Sequence, residues 1–108
     1  MNTVPVFTFT VKCNKELGMK SKRIPDENIT SSSKLNSHHE PFYARLNGKR
    51  AWCPAQEDKT PCIEILLGEE KLITAITTQG SLFDLSWSRK YEVMLLEEGK
   101  WTSYEQVE

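Results

Sequence analysis

The sequence predicts a small all-β domain, built as a sandwich or a barrel. Several short segments alternate apolar and polar residues with a period of two, which is the pattern of strands with a buried face. Turn-forming residues separate these segments, and no stretch keeps a helical apolar period for more than about two turns. The chain has 108 residues, which is room for one domain with one small core. Short strands joined by regular turns are typical of sandwiches and barrels.

The strand pattern occurs in four segments, residues 4–11, 63–67, 72–78 and 91–96. The third of these is rich in β-branched residues, which fit a pleated and half-buried surface. The fourth runs into Glu98-Gly99 and then Trp101, so we expect a β-hairpin there. We see no internal repeat and no second domain in the chain.

The charge balance gives no indication of a nucleic-acid partner. The chain has 14 basic and 15 acidic residues and a net charge of −1, and no basic stripe is interleaved with aromatic residues. No apolar run approaches the roughly 20 residues of a membrane span. The first 13 residues lack the basic start and the long apolar core of a signal peptide, so none is visible in this chain.

The sequence carries no motif for catalysis, for a metal or for a cofactor. It has no GxSxG, HExxH, P-loop or CxxC pattern, and no dense carboxylate loop that would bind calcium. His38 and His39 are adjacent, so on a strand they would point to opposite faces and form a poor zinc site with Glu40. We therefore expect no catalytic residues, no metal and no cofactor.

Two features bear on covalent modification. The three cysteines, Cys13, Cys53 and Cys62, could form one bridge in three ways, and the sequence does not choose between them. Asn28-Ile29-Thr30 matches the acceptor triplet for N-glycosylation, so Asn28 is a candidate glycosylation site.

A succession of short motifs between Cys13 and Tyr104 points to a known family. In chain order these motifs are Leu17-Gly18-Met19, Ile24-Pro25-Asp26, Ile29-Thr30-Ser31-Ser32-Ser33, Ala44-Arg45-Leu46-Asn47, Ala51-Trp52-Cys53-Pro54, Ile63-Glu64-Ile65-Leu66-Leu67-Gly68, Thr77-Thr78-Gln79-Gly80, Tyr91 and Gly99-Lys100-Trp101. Their order and spacing resemble the discoidin domain, also called the coagulation-factor C-type (F5/8 type C) domain. Trp-Cys-Pro after Ala-Arg-Leu-Asn looks most like the discoidin-domain collagen receptors.

The resemblance implies a discoidin-type jelly-roll β-sandwich or barrel of the galactose-binding-like kind over residues 13–108. Residues 1–12 would then be an N-terminal extension that forms an extra strand. The family domain is about half as long again, so we expect the domain to be incomplete at its C-terminus. Two departures from the family pattern are Cys62 and Leu66, which stand where the family usually has a Trp and an acidic residue.

The resemblance also assigns structural roles. Arg45 would bond backbone carbonyls through its planar fork, Trp52 would close one end of the core, and Trp101 would be a third structural residue. In the family the opening cysteine, here Cys13, pairs with a closing one that has no counterpart before Glu108. If the chain is secreted, Cys53–Cys62 is therefore the disulfide bond to test.

In this family the ligand is bound by loops at one end of the barrel. The first loop, here residues 34–40, and the second, here residues 81–89, supply the candidate ligand-binding residues Lys34, Leu35, Asn36, His38, Phe83, Leu85 and Arg89. Leu35 stands where the collagen-receptor members have a Trp. Membrane-binding members use apolar side chains ringed by basic ones, which combine burial among acyl chains with attraction to anionic headgroups.

The expected function is therefore a non-catalytic binding module for cell adhesion or recognition, outside the cell or at its surface as part of a longer protein. We expect its partner to be an extracellular matrix protein such as collagen, or a cell-surface glycan. Two alternatives remain open at this point. The chain could attach to anionic phospholipid membranes, or it could be a fragment with no independent function.

Overall fold

The computed structural model describes residues 15–81 and 90–107. The described residues fall into two compact units, 15–81 and 90–107. Regular structure in them is almost entirely extended, with four strands and three short 3-10 turns. The strands are β1 (Ile29–Ser31), β2 (Ile63–Ile65), β3 (Tyr91–Glu97) and β4 (Lys100–Val107), and the turns are Asp26–Asn28, Ser37–His39 and Pro41–Ala44.

In the first unit, β1 and β2 form an antiparallel pair in which Ile29 lies opposite Ile65. The pairing continues past both ends of the strands. The Leu66 amide donates to the Asn28 carbonyl at 2.9 Å, and the Ser32 amide donates to the Cys62 carbonyl at 3.0 Å. This ladder fixes the direction in which the chain leaves β1 toward residues 34–40.

The buried centre of the first unit is small and contains a charged side chain. Ile24 and Ile29 are the buried apolar residues of the described part, and Arg45 is buried beside them with 8% of its surface exposed. Gly18 packs against Ile24 so closely that a Cβ on Gly18 would lie 2.8 Å from Ile24 Cγ1. Its φ of 136° also lies in a region that favours glycine.

The second unit is the hairpin expected from the sequence, and this prediction is confirmed. β3 and β4 pair antiparallel, with Leu96 opposite Trp101 and Glu97 opposite Lys100. Glu98 and Gly99 form the two-residue turn with φ values of 51° and 77°, as a type I′ turn requires. The register shifts between Val93 and Met94, which is the sign of a β-bulge.

The strand expected at residues 72–78 is a wrong prediction, since residues 66–80 contain no strand. The β-branched residues there indicated a half-buried surface, yet Leu72 is 64% exposed. Strand propensity reflects packing against neighbours rather than an intrinsic backbone preference, and no described strand pairs with this segment. The strand expected at 63–67 ends earlier, at Ile65. The segment 4–11, with the proposed N-terminal extension, lies outside the described residues.

Candidate ligand-contact loop

The first candidate loop is held at its base by the linking segment that contains Trp52 and Cys53. The Leu35 amide donates to the Cys53 carbonyl at 2.8 Å, and the Trp52 indole Nε1–H donates to the Ser33 carbonyl at 2.9 Å. These two bonds fix the backbone on both sides of Lys34. The backbone that presents Leu35 is therefore held in place, although the side chain lies at the surface.

A second set of hydrogen bonds joins Ser32 and Ser33, which precede the loop, to Asp58. The hydroxyls of Ser32 and Ser33 each donate to Asp58 Oδ2 at 2.6 Å, and the Thr60 amide donates to Asp58 Oδ1 at 3.1 Å. The hydrogen bonds from Ser32 and then Ser33 lower the pKa of the Asp58 carboxyl from its ordinary value. The carboxylate therefore stays ionised, and keeps accepting these bonds, at any pH near neutrality.

The loop itself is organised by Asn36. Its side-chain oxygen accepts a hydrogen bond from the His38 amide at 2.9 Å, and its carbonyl accepts one from the His39 amide at 3.0 Å. This is the capping arrangement that starts a helical turn, and it begins the turn Ser37–His39. The candidate residue Asn36 thus has a local structural use in shaping the loop.

At the front of the loop, an exposed apolar side chain lies next to an ion pair. Leu35 is 42% exposed. The neighbouring Lys34 ammonium contacts Glu40 Oε1, and the two side chains are 48% and 23% exposed. Exposed ion pairs are weak, so this lysine can exchange its carboxylate partner for an anionic ligand at low cost.

A second cation, Arg50, contacts the loop at His38. Arg50 Nη1 is 3.2 Å from His38 Nδ1, and the Arg50 guanidinium lies 5.3 Å from the centre of the Tyr43 ring, within the range of a cation–π contact. Tyr43 in turn packs on Phe42, with ring centres 4.8 Å apart. Arg50 is thereby oriented beside the loop rather than left to move freely in solvent.

Sequence reasoning missed Arg50 and Tyr43 as members of this site. Arg50 lies 12 residues after His38, across the Asn47-Gly48 turn, so no local spacing connects them. The sequence does contain an aromatic residue, Tyr43, and a basic residue, Arg50, in the segments that follow the loop. This combination is the signal that could have indicated their contact.

Residues of β1 and of the loop also border an open depression of about 340 Å³. Its lining consists of Ile29, Thr30, Ser31, Ser33, Lys34, Glu40 and Pro41, and more of its exposed lining is apolar than polar. The Thr30 hydroxyl and the Lys34–Glu40 ion pair offer polar contacts to a ligand. The hydroxyls of Ser31 and Ser33 already donate to the Ser33 carbonyl and to Asp58.

Phe83, Leu85 and Arg89 lie outside the described residues. His38 and His39 use different partners. The Nδ1 of His38 is close to Arg50 Nη1, whereas the Nδ1 of His39 is 3.1 Å from the Ala51 carbonyl.

Within residues 15–81 and 90–107 no cluster of metal-ligating side chains occurs. Those same ranges contain no helix of the length and apolar character that a membrane crossing needs.

Arg45 is buried in the first unit and bonds several backbone groups. Its guanidinium donates to the carbonyls of Gly18 at 3.3 Å, Met19 at 2.9 Å and Ile24 at 2.6 Å. It also donates to Asp26 Oδ1 at 2.8 Å. Of the two tryptophans to which the resemblance also assigns structural roles, Trp52 is half-buried, whereas Trp101 on β4 is half exposed.

The structure does not contain the Cys53–Cys62 disulfide bond. The Cys62 carbonyl is bonded to the Ser32 amide, and the Cys53 carbonyl to the Leu35 amide, three residues further along the same segment. The two cysteines are therefore held at different points of that segment. Cys13 lies outside the described residues.

Comparisons with known proteins agree with the motif succession. The family profile described as the F5/8 type C domain matches residues 28–108. Coagulation factor V of Sus scrofa is 38% identical over 102 residues, which is 85% of this chain and 4% of that protein. The EGF-like repeat and discoidin I-like domain-containing protein 3 of Mus musculus is 32% identical over 104 residues, or 86% of this chain and 22% of that protein. Lactadherin of Sus scrofa is 31% identical over 104 residues, or 85% of this chain and 25% of that protein.

The chain thus spans a quarter or less of the length of these relatives. The profile match reaches into both described units and includes β1, the candidate loop and the hairpin. The resemblance seen in the motifs is confirmed: the chain belongs to the F5/8 type C, or discoidin, family, whose domains are β-sandwiches that serve extracellular proteins as non-catalytic binding modules.

Proposed function

We propose that this chain binds anionic phospholipid surfaces through the loop at residues 34–40. Leu35 enters the boundary between headgroups and acyl chains, while Lys34 and Arg50 contact the phosphates. One observation carries the proposal: an exposed leucine on a fixed backbone adjoins Lys34, in a loop whose His38 contacts the exposed Arg50. This is the arrangement that the resemblance assigns to membrane-binding members of the family.

The energies involved make this a weak contact for a single loop. Burial of the exposed part of Leu35 contributes about 1 kcal/mol, and each cation near an anionic surface contributes about 1 kcal/mol. A total of roughly 3 kcal/mol corresponds to a dissociation constant in the millimolar range or weaker. Phe83, Leu85 and Arg89 in the second candidate loop are proposed to add to the same contact.

The test compares two exposed leucines, one inside the loop and one outside it. Leu35→Asp is expected to abolish co-sedimentation with vesicles that contain phosphatidylserine, because it places an anion against the headgroups. Leu72→Asp is the matched control, since Leu72 is also exposed but lies outside the loop, and it is expected to bind as the parent chain does. If both variants bind like the parent, the loop is not the contact. If Leu35→Asp unfolds the chain by circular dichroism, Leu35 belongs to the core instead.

Recognition of a cell-surface glycan is the second candidate function. The open depression beside β1 favours it, because the Thr30 hydroxyl and the Lys34–Glu40 pair can bond the hydroxyls of a sugar while the apolar lining packs against the C–H groups of its ring. A matrix protein such as collagen has weaker support here, since Leu35 replaces the Trp of the collagen-receptor members. Binding to vesicles that falls as salt rises, with no retention on immobilised collagen or glycans, would select the membrane.

A further inference from the structure

We propose that Asn28 carries an N-linked glycan in the secretory pathway, attached at a position where the fold accommodates it. The acceptor triplet Asn28-Ile29-Thr30 lies at the surface, where the turn Asp26–Asn28 passes into β1. Ile29 is buried, whereas Thr30 is exposed and Asn28 is half exposed. The two residues that the acceptor triplet requires therefore face outward around one buried residue.

The hydrogen bond made by the Asn28 side chain is compatible with the modification. Asn28 Nδ2 donates to the Leu66 carbonyl at 3.0 Å, in an exposed bond. A side-chain amide nitrogen carries two hydrogens, and glycosylation replaces only one of them. One hydrogen thus remains on the nitrogen to donate to Leu66, and the backbone bond from the Leu66 amide to the Asn28 carbonyl does not involve the side chain.

The covalent step balances with a lipid-linked oligosaccharide diphosphate as the sugar donor. A bond forms between Asn28 Nδ2 and the anomeric carbon of the first sugar, and the bond from that carbon to the lipid diphosphate breaks. The Nδ2 proton leaves to a base of the transferring enzyme, and the lipid diphosphate departs with the bonding electron pair. No oxidant or reductant takes part.

The sugar would be attached beside an apolar part of the sheet and away from the loop. Leu66, opposite Asn28, is 59% exposed, so a glycan on Asn28 places a hydrated group next to it. Leu35 lies at the other end of the segment that starts at Asn28. Because the ligand loop and the glycan occupy different ends, the proposal does not depend on what the loop binds.

The test measures occupancy of Asn28 and separates the glycan from the hydrogen bond. The full chain is translated into endoplasmic-reticulum microsomes and also secreted from animal cells behind a cleavable signal sequence. The Asn28 peptide is then analysed by mass spectrometry, with and without peptide-N-glycosidase. The parent chain and Thr30→Ser are expected to carry the glycan. Thr30→Val keeps the shape of the strand residue and the Asn28 hydrogen bond but is expected to lose the glycan.

The proposal can be decided even if the chain is not secreted, because transfer of the glycan to Asn28 in microsomes does not require a folded product. An unmodified Asn28 in the parent chain in microsomes would overturn it. The Leu66 bond is tested in the secreted material. Asn28→Asp lacks the N–H donor and is expected to unfold at a lower temperature than Thr30→Val. A glycosylated parent that unfolds below Thr30→Val would show that the glycan displaces the bond, which contradicts the proposed fit.

Discussion

At the scale of single residues, Arg45 joins residues 18–19 and residues 24–26 of the first unit to its own position in the chain. Its guanidinium reaches carbonyls at Gly18, Met19 and Ile24 as well as the Asp26 carboxylate. A planar group with five donors matches such a ring of acceptors. Since the buried apolar residues nearby are few, these bonds make a large contribution to holding residues 18–26 against residue 45.

Arg45→Lys is expected to destabilise the chain by about 2–4 kcal/mol, because a single ammonium cannot reach all of these acceptors and leaves buried carbonyls without a donor. Urea unfolding followed by tryptophan fluorescence measures the change. Arg23→Lys is the matched control, since Arg23 is exposed and pairs with Glu16 at the surface. Its expected effect is below about 0.5 kcal/mol. Equal midpoints for the two variants would contradict the structural role proposed for Arg45.

Asp58 supplies a prediction on pH. Its folded-state pKa is lowered, first by the hydrogen bond from Ser32 and then by that from Ser33. A carboxyl with a depressed folded pKa stabilises the fold fully above its unfolded pKa of about 3.9, and this contribution is lost as the pH falls through the folded value. We expect Ser33→Ala to raise the Asp58 pKa and to move acid unfolding to higher pH. Carbon-13 NMR of the carboxyl measures the first effect, and Asp26, which neither serine contacts, is the reference carboxyl.

At the scale of elements, the hairpin carries a residue that its turn does not favour. Type I′ turns need positive φ at both central positions, and Asn is preferred at the first. The chain has Glu98 there, with φ of 51°. Glu98→Asn is therefore expected to stabilise the hairpin by about 0.5 kcal/mol. A thermal melt followed at Trp101 measures it. Glu98→Gln removes the same charge without the turn preference and is expected to change little. If Gln stabilises as much as Asn, the gain comes from charge.

The same hairpin shows which elements the sequence predicts well. Its strands are adjacent in the chain and its turn residues lie between them, so pattern and turn chemistry suffice. Residues 72–78 have an equally good strand pattern, but a strand also needs a partner and a face to bury. Nothing local in the sequence states whether a partner is present, and for this segment the described residues provide none.

The candidate site likewise has one part that the sequence predicts and another that it does not. Lys34, Leu35, Asn36 and His38 are consecutive or nearly so, and a family resemblance was enough to single them out. Arg50 joins them through contacts with His38 and Tyr43, which depend on how the chain turns between Ala44 and Arg50. The depression beside β1 is likewise a product of the tertiary arrangement. Contacts of this kind are not encoded in any short spacing.

At the scale of the whole molecule, the net charge of −1 gives no general attraction to an anionic surface. Attachment through the loop must then depend on where the charges lie rather than on how many there are. The Lys34–Glu40 pair places one acidic group within the proposed contact. The Lys71–Glu69 pair is a chemically similar pair outside the loop, with its two charged atoms 2.6 Å apart.

These two pairs allow the local field to be separated from the net charge. Glu40→Gln and Glu69→Gln each change the net charge by the same amount, but only the first removes a negative charge beside Leu35. Glu40→Gln is expected to increase the partition onto phosphatidylserine vesicles about fivefold, because one more uncompensated cation near such a surface is worth about 1 kcal/mol.

Glu69→Gln is expected to leave the partition within about twofold of the parent chain, because the chain reaches Glu69 from the end of β2 that pairs with Asn28 rather than from the end next to the loop, and exposed charges remote from the contact are screened at physiological salt. Both partitions are measured by co-sedimentation over a series of salt concentrations, and the advantage of Glu40→Gln is expected to shrink as salt rises. Equal increases for the two variants would mean that net charge governs attachment, and the contact would then have to be sought outside the loop.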